Sequence, residues 1–131
     1  MVNIIQVKVS PEELKVKDKL EAMFNLNKQY LEALKEPQEI PIETREGQEK
    51  LRKLIWYTVE ELFEAVNSFK NDREWVQTEY ELDLWKLYDE IADAFGFLIT
   101  ICRYLHLDAD KLFEIFLRKW KVNMFRLNSK Y

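Results

Sequence analysis

Pro41 is the last of three prolines in a chain of 131 residues, and Gly47 and Gly96 are its two glycines. A sequence so short of breakers cannot supply the many tight turns of a β-sandwich; it permits long helices and few connections. The start signals agree. Ser10-Pro11-Glu12-Glu13 offers a serine cap, a proline at the first helical position and an acid placed to return the bond, so a first helix is expected over 11–35. Pro37 and Pro41 bracket a connection over 36–45. A second helix is expected over 47–70, a third over 80–105 and a fourth from an Asp108 cap to about 125. Gly96 falls inside the third, where glycine costs about 1 kcal/mol relative to alanine; a close approach to its backbone is expected. Residues 1–9 alternate weakly and read either as a short extended segment or as an arm that is frayed or tied down by a partner subunit. All 131 residues are expected to form one domain, an all-α four-helix-bundle-like fold or a helical domain that completes its core by dimerisation.

Two of these helices carry acids in an unusual place. On the second, Ile55, Val59, Leu62, Val66 and Phe69 fall on one apolar stripe at helical spacing. Tyr57, Glu61, Glu64 and Ser68 run beside it, so two carboxylates flank the face expected to be buried. On the third, Leu84, Tyr88, Ile91, Phe95, Leu98 and Cys102 form the stripe, with Glu90 and Asp93 one turn apart. A solvated helix keeps its charges opposite its apolar side. Four carboxylates from two facing helices would repel, and a hard divalent cation with oxygen ligands relieves that repulsion. The plainer alternative is an ordinary solvated acidic face, in a chain with 24 acidic residues.

A net charge of −4 without a basic block argues against gripping a nucleic-acid backbone. Metal ions could still screen the phosphates of a small molecule. Cys102 stands alone, so no intrachain disulfide forms and a reducing, cytoplasmic setting is expected. Neither a signal peptide nor a membrane span is expected. His106 is the single histidine, which excludes histidine-rich zinc sites. No glycine-rich phosphate loop and no Gly-x-Ser-x-Gly elbow occurs. The C-terminal Arg118, Lys119, Lys121, Arg126 and Lys130, interleaved with Trp120, Phe125 and Tyr131, have two readings. They are cations welcomed at a helix C-terminus, or a clamp for a nucleotide's phosphates and sugar.

The pairs Glu61-Leu-Phe-Glu64 and Glu90-Ile-Ala-Asp93 resemble the signature of the all-α nucleoside triphosphate pyrophosphatases. That superfamily holds the dimeric dUTPases, the phage dCTPase–dUTPases and the MazG proteins. The dimeric dUTPase branch is the most similar, through Glu64-Ala-Val-Asn-Ser-Phe69, Asp93-Ala-Phe-Gly-Phe97 and the spacing of Lys119, Asn123, Arg126 and Tyr131. The resemblance covers 51–131. It implies hydrolysis of dUTP, or of dCTP, to the monophosphate and pyrophosphate by a homodimer using Mg²⁺, for which Mn²⁺ can substitute. Glu61, Glu64, Glu90 and Asp93 would hold metal, and Glu61 would also act as the base. Lys119, Asn123, Arg126 and Tyr131 would contact phosphate and sugar. Trp75 or an aromatic of the first helix would stack on the base, and Asn27, which stands where that branch has a glutamine, would read its edge. The alternatives are a MazG-like enzyme acting on other nucleotides and a helical interaction module without catalysis.

Overall fold

The computed structural model describes residues 6–70, 73–79 and 81–129. They fold into four helices, α1 (Lys19–Ala33), α2 (Arg45–Val66), α3 (Leu84–Tyr104) and α4 (Ala109–Asn128). Between α2 and α3 lies a two-residue antiparallel ladder, β1 (Phe69–Lys70) with β2 (Glu81–Leu82), in which Phe69 faces Leu82. The protein is therefore mostly helical. Among the described residues no helix is long and apolar enough to cross a membrane.

Local chemistry sets the ends of these elements. The Ser10 capping box forms: the Glu13 amide donates to Ser10 Oγ at 3.2 Å, and the Ser10 amide donates to the Glu13 carboxylate at 3.0 Å. It caps one turn only. Leu14 stays exposed, so nothing rewards extending that turn. Asp18 then takes the cap of α1, accepting from the Glu21 amide at 2.9 Å, and the first helix starts at Lys19 instead of Pro11. α2 ends at Val66, four residues early, because the chain turns into β1 and the Asp83 amide donates to Ser68 O at 2.8 Å. Asp83 caps α3, which consequently starts at Leu84 rather than at residue 80. The Asp108 cap of α4 is as expected, and α4 continues to Asn128. Residues 7–9, within the segment read as extended or as an arm, form no strand; residues 1–5 lie outside the described residues.

The crowded glycine is Gly47, not Gly96. A Cβ at Gly47 would collide with the Pro41 carbonyl, so glycine is what lets the 36–44 connection fold against the first turn of α2. A Cβ at Gly96 would meet nothing within 4 Å, and the approach to its backbone is on the carbonyl side, where Asn27 Nδ2 of α1 donates to Gly96 O at 3.4 Å.

α2 and α3 pack along each other and form the spine, while α1 lies against α3. Phe24, Ile99 and Ala109 make one core cluster. Ile40, Leu54 and Tyr104 make another, pinned where Tyr104 Oη donates to Pro37 O at 2.8 Å. The faces that α2 and α3 bury are not the expected ones. On α2 the inward stripe is Leu54, Thr58, Glu61 and Ala65; on α3 it is Leu87, Glu90, Ala94, Phe97, Ile101 and Tyr104. Thr58, Ala65 and Ala94 are small, which lets the two helices approach closely. Thr58 hides its hydroxyl on Leu54 O at 2.9 Å. The bulkier stripes turn outward: Leu62, Val66, Tyr88 and Phe95 are all exposed.

Candidate metal centre and adjoining groove

Because the buried stripes carry the acids, the packing of α2 on α3 itself gathers carboxylates. Glu61, Glu64 and Glu90 each present an oxygen, and these oxygens lie within 4.8 Å of one another. Glu61 and Glu90 are half-buried and Glu64 is exposed. Ionised carboxylates have no proton to offer each other, so Glu61 Oε2 is buried without a hydrogen-bond partner. The Glu90 carboxyl is pushed up to about 7, first by its hydrogen bond with Glu61, then by burial and by Glu64. Asp93 sits one turn further along α3, outside the group of three. Its pKa is raised by burial first, then by the charges of Glu61, Asp89 and Glu64.

Beside this cluster runs a groove of about 880 Å³, walled by α1, α2 and α3, with Glu61 and Asp93 in its lining. Its aromatic wall includes Tyr57 and Phe97, whose ring centroids are 5.7 Å apart at 47°. Tyr30, Lys50 and Lys53 also line it. Tyr30 is one of the first-helix aromatics expected as a stacking surface; the other four were not expected from sequence as ligand contacts. A signal existed for two of them: Tyr57 precedes Glu61 by four residues, and Phe97 follows Asp93 by four, one helical turn in each case.

The other expected contacts are placed variously. Asn27 lines the groove, but its amide is already engaged on α3. Asn27 Nδ2 donates to Thr100 Oγ1 at 2.9 Å, and Arg103 Nε donates to Asn27 Oδ1 at 3.1 Å. Trp75 is outside the groove lining and 75% exposed, with the Arg73 guanidinium 5.7 Å from its ring centre. Lys119, Asn123 and Arg126 are exposed on α4, also away from the groove lining. Tyr131 lies outside the described residues.

Carboxylate oxygens alone would suit a hard cation better than the softer metals that seek nitrogen or sulfur. Against family models, curated proteins and solved structures, the chain has no match.

Proposed function

We propose that the protein is a divalent-metal-dependent pyrophosphohydrolase, cleaving a nucleoside triphosphate to the monophosphate and pyrophosphate. dUTP is the first expected substrate and dCTP the second. The observation that carries the reading is the convergence of Glu61, Glu64 and Glu90, with a buried unpartnered oxygen, beside a groove with an aromatic wall that Glu61 also lines. An ion bound there would screen the phosphate charge and acidify a water molecule.

Glu64 and Glu90 supply outward and inward oxygens for that ion, and Asp93 adds a carboxylate one turn along α3. Glu61 has one oxygen toward the cluster and lines the groove, which suits it to orient and deprotonate the attacking water. Tyr57 and Phe97 offer flat surfaces for a base. Lys119, Asn123, Arg126 and Tyr131 complete the phosphate and sugar contacts in this reading, and Trp75 and Asn27 the base contacts. The hydrogen bonds that Asn27 already makes favour a second reading: with its amide engaged, selection for uracil is loose, and other or modified nucleotides are turned over as in a MazG-like enzyme.

The test is pyrophosphate release from a panel of nucleoside triphosphates, with and without Mg²⁺. Turnover should require the metal. It should fall at least 100-fold in Glu64→Gln and Asp93→Asn, with the circular dichroism spectrum kept. No turnover of any panel member by the unaltered protein would overturn the proposal, and full activity in either variant would move the site.

A further inference from the structure

α1 separates two cavities. Asn27, Tyr30 and Leu34 of that helix line the groove, whereas Glu21, Asn25 and Lys28 line a second cavity of about 430 Å³, bounded by the 36–44 connection and by the turn from α3 into α4. The walls of this second cavity are pinned. Gln38 Nε2 donates to Lys28 O at 3.1 Å, which ties the connection to α1. The turn is closed by the Leu107 amide on Cys102 O at 2.8 Å and the His106 amide on Arg103 O at 3.0 Å. His106 holds a φ of 59° there, where glycine is the usual residue, and so joins the lining.

Charges of both signs line the cavity and do not neutralise one another. Lys28 and Arg103 stand with Glu21 and Glu39, yet no ion pair joins them; the ion pairs of the described residues lie elsewhere. The Asp108 carboxylate is already taken as the cap of α4, accepting from the Lys111 amide at 2.8 Å. Arg103 is half-buried. Its Nε donates to Asn27 Oδ1 at 3.1 Å and its Nη2 to Phe24 O at 2.7 Å, both neutral acceptors. A guanidinium has five N–H groups, so three remain unused and the charge has no anion beside it. Such a group is well matched to a carboxylate, which it grips with two parallel bonds. The Phe24 ring is only 6% exposed and belongs to the core, so it offers no open face for a base.

We propose that this cavity binds a free amino acid, its carboxylate on Arg103 and Lys28 and its ammonium between Glu21 and Glu39. A lining whose charges mirror those of the ligand selects it at both ends. The occupied cavity is also linked to the groove. Arg103 Nε holds Asn27 Oδ1, Asn27 Nδ2 donates to Thr100 Oγ1 at 2.9 Å, and Asn27 and Thr100 both line the groove. A carboxylate drawn onto the guanidinium competes with Asn27 for it, and loosens an amide that the groove's occupant meets. Such coupling is reciprocal, so the groove's ligand changes the affinity for the amino acid by the same factor. That this second ligand is a nucleotide rests on the function proposed above; the amino-acid site does not.

Calorimetric titration of the whole chain with the free amino acids, one at a time, tests the site. At least one should bind with a Kd below about 1 mM, and acetate and ammonium chloride, each half of the ligand, should bind at least about tenfold more weakly. Lys28→Ala and Glu39→Gln alter exposed positions and should each weaken binding about tenfold with the circular dichroism spectrum kept. No amino acid bound, or unchanged affinity in either variant, would overturn the assignment. So would dUMP binding more tightly than every amino acid and losing that affinity in Lys28→Ala. The link to the groove is read without a substrate. Saturating the cavity should shift the side-chain amide resonance of Asn27 in the NMR spectrum, and an unmoved resonance would sever the link. An inactive protein that binds the amino acid would sink the catalytic reading and leave this site standing; an active one that binds none would do the reverse.

Discussion

The Glu90 carboxyl has an ordinary pKa of 4.5 and is raised to about 7 in the folded protein. Between those values the native state holds a proton that the unfolded chain has released, so the free energy of unfolding falls as pH rises. Metal-free protein should therefore be most stable below about pH 4.5 as far as this group is concerned, lose stability up to about pH 7, and change no further above. A divalent ion competes for the same oxygens as that proton. Mg²⁺ should raise the melting temperature little at pH 5.5 and clearly at pH 8. Melts at the two pH values, with and without the ion, check both signs, and a metal effect larger at the lower pH would mean that this cluster does not hold it. At this scale the sequence was informative about identity and poor about neighbours. Glu61, Glu64 and Glu90 were legible because they stand at helical spacing beside the apolar stripes of their helices. The engagement of Asn27 by Thr100 and Arg103 was not, because those partners are 73 and 76 residues away in the chain.

Helix number was legible from the scarcity of breakers, and the Asp108 cap of α4 from its side chain alone. Helix ends were less so. Ser10 and Asp18 are both competent caps, and which one starts α1 depends on whether Leu14 finds anything to pack on. The rotation of α2 and α3 was misjudged for a related reason: periodicity identifies the more apolar stripe, whereas close packing of two helices selects the narrower one. Ala65, Thr58 and Ala94 fit between the axes, where Phe63 or Phe95 would hold them apart. The two glycines give this a measurable form. Gly47→Ala must push the 36–44 connection off α2 and should cost about 1–3 kcal/mol. Gly96→Ala has open space and removes a flexible residue from a helix interior, so it should stabilise by up to about 1 kcal/mol. Urea unfolding of both variants decides it, and equal effects would contradict the packing described for Gly47.

For the whole molecule, the question is what stability one copy has alone. Partly exposed side chains such as Leu62, Phe95, Phe116 and Phe125 each forgo about half or more of the roughly 1.5–3 kcal/mol that full burial supplies, in a domain whose net stability is about 5–15 kcal/mol. This is the part the sequence could announce but not resolve: an aromatic load high for the length is visible in composition, while the surface left bare depends on which faces α2 and α3 choose. If covering those faces is coupled to folding, the transition is from a native pair to two unfolded chains, and mass action enters the melting temperature. Raising protein concentration a hundredfold then adds about 2.7 kcal/mol per pair. Divided by the unfolding entropy of two such chains, about 2.1 cal/mol/K per residue, this shifts the midpoint by about 5 °C. Melts at 1 and 100 µM, recorded without metal, should show that displacement. A midpoint that does not move with concentration would mean that each chain carries its own stability and that the apolar stripes face water at little net cost.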